Sequence, residues 1–169
     1  MNDISSNAAY VISKIIQICG QKPGKKKLQK LVFLIQEKGI DLGYEYGLHF
    51  YGPYSSNLDI ETTTLSAEGI IKFDYSSGYS HKMSITEGCK VKSRLTNVQE
   101  KVIDSVIERF KDQSPSELEL LTTAIYAYNN LQDKSMDSIT QGVKKIKGSK
   151  YSKSEIENAL SYFDYFEKK

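Results

Sequence analysis

Five lysines are crowded into one short stretch of the sequence, and their type and spacing come nearest to a chemical role. The helix dipole makes positive charge at the start of a helix unfavourable by roughly 0.3 kcal/mol or more per residue, so stability alone does not explain them. Ammonium groups beside free backbone N–H groups can bind phosphate or an acidic partner. We therefore predict an anion or nucleic-acid contact, with a solvated basic face as the alternative. The lysines are Lys22, Lys25, Lys26, Lys27 and Lys30.

Tyrosines surround the Gly52-Pro53 pair, and carboxylates follow it. Tyrosine combines an apolar ring with a polar hydroxyl and is enriched in protein interfaces, so this region predicts a partner-binding surface. Its predicted residues are Tyr44, Tyr46, Tyr54, Asp59 and Glu61. For Phe50 and Tyr51 the expectation differs, because alternating aromatic residues here would seal a small sheet against the second helix.

Motifs for catalysis and metal binding are missing from the sequence. The stretch from Gly20 to Lys26 has one residue too few between its glycines for a phosphate-binding loop, and it lacks the Ser or Thr that would bind Mg²⁺. His49 and His81 are the only histidines, and neither has the spacing of a metal ligand on a helix. The sequence therefore predicts no cofactor, no metal site and no enzyme. An enzyme with a site assembled from distant carboxylates is the second alternative.

Length and composition predict one cytoplasmic domain. A chain of 169 residues is long enough to bury about 70% of its unfolded surface. The net charge of +2 is too small to drive binding to nucleic acid or membrane by itself, so electrostatic recognition must be local. No window approaches the roughly 18 apolar residues of a membrane span, and the N-terminus lacks a signal-peptide pattern. We therefore expect no membrane contact.

The first 95 residues predict two long helices, a short helix and a hairpin. Apolar residues recur at helical spacing as far as Cys19, and again over residues 26–38, where the apolar face is wide enough for a central helix. Gly52-Pro53 predicts a turn, and Ser56 then predicts the N-cap of a short polar helix. Alternating apolar residues over 71–85 predict two strands. This order of elements indicates a winged-helix-like half.

The remaining residues predict four helices. Three helix starts carry an N-cap or capping-box pattern, in which a Ser or Thr precedes a Glu or Gln by three residues. These pairs are Thr96 with Gln99, Ser114 with Glu117, and Ser152 with Glu155. The predicted fold class is α+β and mostly helical, as a single domain over residues 1–169. Its winged-helix-like part covers residues 1–95, and a helical part covers 96–169.

The short helix is acidic, which bears on the kind of partner. In a winged helix this helix would enter the major groove of DNA. It runs over residues 56–68 and carries Asp59, Glu61 and Glu68 but no Lys or Arg, so DNA phosphates would repel it. We therefore expect a protein partner. A winged-helix DNA-binding transcriptional regulator that uses the lysines is the alternative.

A family pattern is carried by five segments of the sequence, residues 27–31, 51–55, 65–70, 118–121 and 144–152. These segments resemble the YwgA family of bacterial and archaeal proteins, and the resemblance extends nearly from end to end of the chain. More distantly, the chain is similar to the Panacea domain of SocA-like antitoxins, which shares the Leu-Gln-Lys helix and the Gly-Pro pair but has a C-terminal Pro-Trp pair that this chain lacks. The resemblance implies a non-catalytic regulatory protein that binds a protein partner, is antitoxin-like and is associated with mobile elements. It transfers no catalytic residues.

Overall fold

Side-chain caps define where most of the helices begin. In the computed structural model, which describes residues 3–19, 23–76, 78 and 81–168, the Ser6 hydroxyl accepts from the Ala9 N–H at 3.2 Å to start the first helix. The three predicted capping boxes are confirmed at the fourth, fifth and seventh helices. Within the described ranges there are seven α-helices: α1 Asn7–Ile18, α2 Lys25–Glu37, α3 Ser56–Ala67, α4 Asn97–Phe110, α5 Pro115–Asn130, α6 Met136–Lys147 and α7 Lys153–Leu160. A 3-10 helix, Phe163–Phe166, follows α7.

The cap of α3 differs from the prediction by one residue. Ser55, not Ser56, is the N-cap, and its hydroxyl accepts from the Leu58 N–H at 3.4 Å. Ser55 still has extended backbone angles, φ −115° and ψ 119°, which an N-cap residue requires. The helix therefore begins at Ser56, one residue earlier than an N-cap at Ser56 would place it.

The strands form three separate pairs in the described part of the chain. The pair β2–β3 and the pair β4–β5 are antiparallel, whereas β1 and β6 are parallel and join the N-terminus to the segment before α4. The hairpin predicted over residues 71–85 is confirmed as β4–β5, and the parallel pair was not predicted. The strands are β1 Asp3–Ser5, β2 Gly47–His49, β3 Gly52–Tyr54, β4 Ile71–Asp74, β5 Lys82–Ile85 and β6 Lys90–Lys92.

The prediction of a turn at Gly52-Pro53 is wrong. His49 pairs with Gly52 and Leu48 with Pro53, so both residues of the pair lie in strand β3. The turn is formed by the two residues between the strands, Phe50 and Tyr51. Proline is tolerated in an edge strand of this kind, because the N–H group that it lacks would lie on the side away from the partner strand.

Helix α2 is the central helix, as predicted. Its residues from Leu28 to Ile35 are all buried, and α2 packs against α1, α4, α5 and β3. Helix α5 in turn packs against α6 and α7, so the hydrophobic core takes residues from both halves of the chain. The α+β, mostly helical fold class is confirmed. Within the described residues, no helix is both long and apolar enough to cross a membrane.

Candidate functional site

The turn of the β2–β3 hairpin presents two aromatic side chains to solvent, and we call Phe50 and Tyr51 the hairpin tip. Phe50 is 82% exposed and Tyr51 is 46% exposed, and their rings meet edge to face with centroids 4.9 Å apart. The expectation that these rings seal the sheet is wrong. They are the two loop residues of a tight hairpin, and in such a turn the side chains point away from the strands rather than onto a sheet face.

The sealing position belongs instead to tyrosines from the preceding loop. Tyr46 packs edge to face on Phe33 of α2 at 5.0 Å, and its hydroxyl donates to the Gln29 carbonyl at 2.9 Å. Tyr44 is also partly buried, and its hydroxyl has no hydrogen-bond partner among the described atoms. Burial raises the pKa of both phenols. These two residues of the predicted partner-binding set therefore lie mainly inside the fold.

Two neighbouring residues of α2 bind the backbone of strand β3 and of Ser55, the residue that follows it. The Gln29 side-chain amide donates to the Ser55 carbonyl at 2.8 Å, and its oxygen accepts from the Ser55 N–H at 2.9 Å. Lys30 donates to the Pro53 carbonyl at 2.6 Å. The Leu-Gln-Lys segment and the Gly-Pro segment thus bind each other directly, which fixes the position of the hairpin tip.

Gly52 brings the hairpin into close contact with α5. Its φ of +86° lies in the left-handed region, where a Cβ atom is unfavourable. A Cβ atom here would also lie 3.0 Å from the Thr123 hydroxyl oxygen and 3.3 Å from the Glu119 Cγ. The backbone conformation and the close approach to α5 both require glycine.

A buried carboxylate, Glu119, lies beneath the hairpin and binds two lysines of the second half. Its Oε1 is 2.7 Å from the Lys147 Nζ and 2.9 Å from the Lys150 Nζ. Lys147 also donates to the Phe50 carbonyl at 2.8 Å. Burial works to raise the pKa of Glu119, but the hydrogen bonds from the two lysines outweigh burial and hold the pKa below its ordinary value. This cluster ties the hairpin tip to α5 and to the end of α6.

Lys30 is the most unusual charged group of the site. It is 3% exposed, and burial lowers its pKa from the ordinary 10.5 to about 8, although attraction to Glu119 opposes the shift. Among the described residues, no carboxylate lies within 4.0 Å of its ammonium group. Lys30 is therefore a buried lysine without a directly paired counter-charge.

A cavity of about 270 Å³ opens between the hairpin tip, α2 and α3, and we call it the tip pocket. The buried part of its lining combines Leu28 and Leu58 with the polar side chains of Gln29 and Lys30. Tyr51 and Phe50 line its exposed part. The pocket is thus mostly apolar, and the lysine side chain of Lys30 belongs to its buried lining.

Two residues of the predicted partner-binding set line the tip pocket. They are Tyr54 and Asp59. Burial, the charge of Asp59 and a hydrogen bond to Asp59 together raise the pKa of Tyr54. Glu61 is partly buried on α3 and is close enough to Tyr44 for its charge to raise the pKa of that phenol. The predicted set is therefore divided between the pocket and the loop behind it.

The predicted lysine set does not form one face. Lys25 pairs with Asp59 at 2.8 Å, and the Lys26 ammonium lies 3.4 Å from the centroid of the Tyr51 ring. Both line the tip pocket together with Lys30. Lys27 instead donates to the Lys111 carbonyl just after α4, and Lys22 lies outside the described residues.

The sequence reasoning missed the residues that hold the site together. Glu119 lies within a buried apolar run, Leu118 to Leu121, and a carboxylate in such a run is a signal of a buried ion pair. Gln29, one residue before Lys30, gave no signal, because nothing in sequence shows that a strand will pass beside it. Within the described ranges, no group of three or more His, Cys, Asp or Glu side chains is arranged to hold a metal ion.

A bacterial protein is similar to this chain in sequence. No protein-family profile matches the chain. A Bacillus subtilis (strain 168) protein with the name uncharacterized protein YwgA is 25% identical over 156 residues, which cover 90% of this chain and 92% of that protein. The similarity thus extends over nearly the whole of both chains and agrees with the YwgA resemblance. It carries no activity with it, and the Panacea resemblance stays a prediction.

Proposed function

We propose that this protein is a non-catalytic interaction protein that binds an acidic segment of a partner protein at the hairpin tip and tip pocket. The observation that carries the proposal is the exposure of Phe50 and Tyr51 beside a mostly apolar pocket. Exposed aromatic side chains next to a concave apolar surface are typical of interface hot spots. Burying them against a partner recovers hydrophobic free energy that the isolated chain does not gain.

The tip is also rigidly held, which favours binding. Lys26 lies over the Tyr51 ring, Lys147 binds the Phe50 carbonyl, and Gln29 fixes the strand that follows. A surface that is already ordered loses little conformational entropy when a partner binds. The aromatic rings are therefore presented in a prepared position.

The charges around the tip indicate an acidic partner. Four ammonium groups, those of Lys26, Lys30, Lys147 and Lys150, surround the tip, and Glu119 is the carboxylate that pairs with two of them. The excess of positive charge attracts a negatively charged segment and speeds its encounter with the site. A DNA duplex is less favoured, because α3, the helix that would enter its major groove, carries Asp59 and Glu61 but no Lys or Arg.

Capture of the partner from the host tests this proposal. The double variant Phe50→Ala/Tyr51→Ala should lose at least about tenfold in binding to any specific partner, as expected for hot-spot aromatics. Tyr75→Ala is the matched control, because Tyr75 is 61% exposed on the other antiparallel hairpin. Circular dichroism should show that both variants stay folded. Retention of every specific partner by the double variant would contradict the proposal. The proposal would also be contradicted if the wild type bound a DNA duplex and the double variant did not.

An antitoxin-like role is the narrower form of this proposal and is based on the Panacea resemblance. It predicts that the partner is a toxin encoded by a neighbouring gene. Co-expression with that gene product should then protect a host cell from the toxin, and the Phe50→Ala/Tyr51→Ala variant should fail to protect. Equal protection by the variant would show that the antitoxin-like role does not depend on the hairpin tip.

A further inference from the structure

Two buried lysines of this site differ in how their charge is compensated. The Lys147 side chain is 5% exposed and has the Glu119 carboxylate at 2.7 Å. Lys30 is 3% exposed, yet its described hydrogen-bond partner is the neutral Pro53 carbonyl. The Glu119 carboxylate binds Lys147 and Lys150, but it lies more than 4.0 Å from the Lys30 ammonium group. One of the two lysines is paired within the chain and the other is not.

The unpaired lysine lines the tip pocket. A lysine ammonium has three N–H donors, and the Pro53 carbonyl uses one of those of Lys30. A buried charge without a counter-charge is unfavourable, so an occupant that brings a carboxylate to this point gains both hydrogen bonds and charge compensation. The charged groups that act on Lys30 are Glu119, Lys147 and Lys26. His49, Lys25 and Asp59 also line the pocket, and the last two form a pair with each other.

The size of the pocket limits what the occupant can be. Its volume of about 270 Å³ lies just below the usual range for ligand sites, so it suits one large residue rather than a passing chain segment. The apolar lining, which includes Leu28, Leu58 and Tyr51, requires an apolar side chain on that residue. A C-terminal residue carries an apolar side chain and a carboxylate on the same Cα atom.

We propose that the tip pocket binds the C-terminal residue of the partner protein, with its α-carboxylate on the Lys30 ammonium and its apolar or aromatic side chain between Leu28, Leu58 and Tyr51. This inference is based on the proposed function and specifies how the partner enters the site. The surrounding lysines favour a partner whose last residues are acidic before an apolar end.

Titration with two small probes tests the pocket without the partner. N-acetyl-phenylalanine carries the aromatic ring and free carboxylate of a chain end, whereas N-acetyl-phenylalanine amide has the same ring without the charge. In ¹H–¹⁵N correlation spectra the acid should shift resonances of Leu28, Lys30 and Tyr51 with a Kd on the order of 1 mM, as expected for a ligand of this size. The amide should bind at least tenfold more weakly. Equal binding of both, or binding of neither up to 20-fold above that Kd, overturns the inference.

Two variants test whether Lys30 itself, rather than the general positive charge of the protein, binds the carboxylate. Lys30→Met should weaken binding of the acid at least tenfold and leave binding of the amide within about twofold. Lys145→Met is the matched control, because Lys145 is exposed near the end of α6. A Lys30→Met protein whose spectrum is well dispersed but which binds the acid like the wild type overturns the inference. Binding of the acid by the wild type should also weaken above about pH 8, because Lys30 loses its proton there. An affinity that does not change with pH would overturn the inference as well.

A third probe distinguishes the source of the carboxylate. N-acetyl-glutamic acid α-amide carries the carboxylate on its side chain and no free α-carboxylate. It should bind more weakly than N-acetyl-phenylalanine, and tighter binding would overturn the chain-end inference. These results are independent of partner capture. Loss of the partner from the hairpin-tip variant together with failure of every probe would remove this inference and leave the proposed function standing.

Discussion

Replacing Lys30 by methionine should stabilise the protein at pH 7. Burial disfavours the charged form of this lysine and lowers its pKa from 10.5 to about 8. At about 1.4 kcal/mol per pH unit, keeping the lysine charged in the folded protein at pH 7 costs about 3 kcal/mol of stability. Methionine has similar length and no charge, so it recovers this free energy. It also removes the hydrogen bond to the Pro53 carbonyl, which costs roughly 1–2 kcal/mol. The free energy of unfolding should therefore rise by about 1–2 kcal/mol.

The pH dependence of the difference identifies the cause. Between about pH 8 and pH 10.5 the unfolded wild-type chain holds a proton on Lys30 that the folded chain has released, so the stability of the wild type rises with pH relative to the variant. By pH 10 the wild type should recover roughly 2–3 kcal/mol of the penalty and become the more stable protein. The tyrosines with raised pKa values lower stability at high pH, but they do so equally in both proteins.

Urea denaturation of both proteins at pH 7, 8, 9 and 10 measures this difference. The matched control is Lys147→Met, which removes a buried lysine that has a carboxylate partner and should destabilise the protein at pH 7. A Lys30→Met variant that is less stable than the wild type at pH 7, with a difference that does not change with pH, would refute the view that Lys30 is an uncompensated buried charge.

The other predictions concern contacts beneath the hairpin tip. Gly52→Ala should lower the free energy of unfolding by about 2–3 kcal/mol, because a Cβ atom meets both an unfavourable φ and the Thr123 hydroxyl. Gly39→Ala, with φ +90° and open space around it, should cost only about 1 kcal/mol in the same denaturation assay, and equal losses would contradict the steric argument. Glu119→Gln should cost about 3–5 kcal/mol at pH 7, measured against the exposed control Glu157→Gln. Its cost should shrink below pH 4.5, where the Glu119 carboxylate of the unfolded wild type is protonated, and a cost that is constant with pH would contradict the ion-pair explanation.

Local signals in the sequence predicted the helices well. The capping pairs at Thr96, Ser114 and Ser152 were all correct, because an N-cap interaction involves residues only three apart. The buried face of α2 was also predicted from its apolar spacing. These features depend on near neighbours, which the sequence displays directly.

The site itself depends on distant residues, and the sequence predicted less of it. Gly52-Pro53 carries a typical turn signal, but pairing with β2 places both residues in a strand. Lys30 occurs among other lysines and gave no sign that β3 would cover it, whereas Phe50 and Tyr51 look like core residues and lie on the surface. Burial of a charge and exposure of a ring are decided by elements that meet only in the folded chain.

The hydrogen bonds from α2 to β3 also affect how the protein behaves in concentrated solution. The outer edge of β3 and the residue after it present the backbone groups of Pro53 and Ser55. An open strand edge can recruit a strand from another molecule. Here Gln29 donates to one carbonyl and accepts from one N–H, Lys30 takes the other carbonyl, and proline has no N–H to offer. Two side chains of a helix thus replace the missing third strand. The exposed hairpin can display its aromatic rings without providing, along this edge, a template for edge-to-edge aggregation.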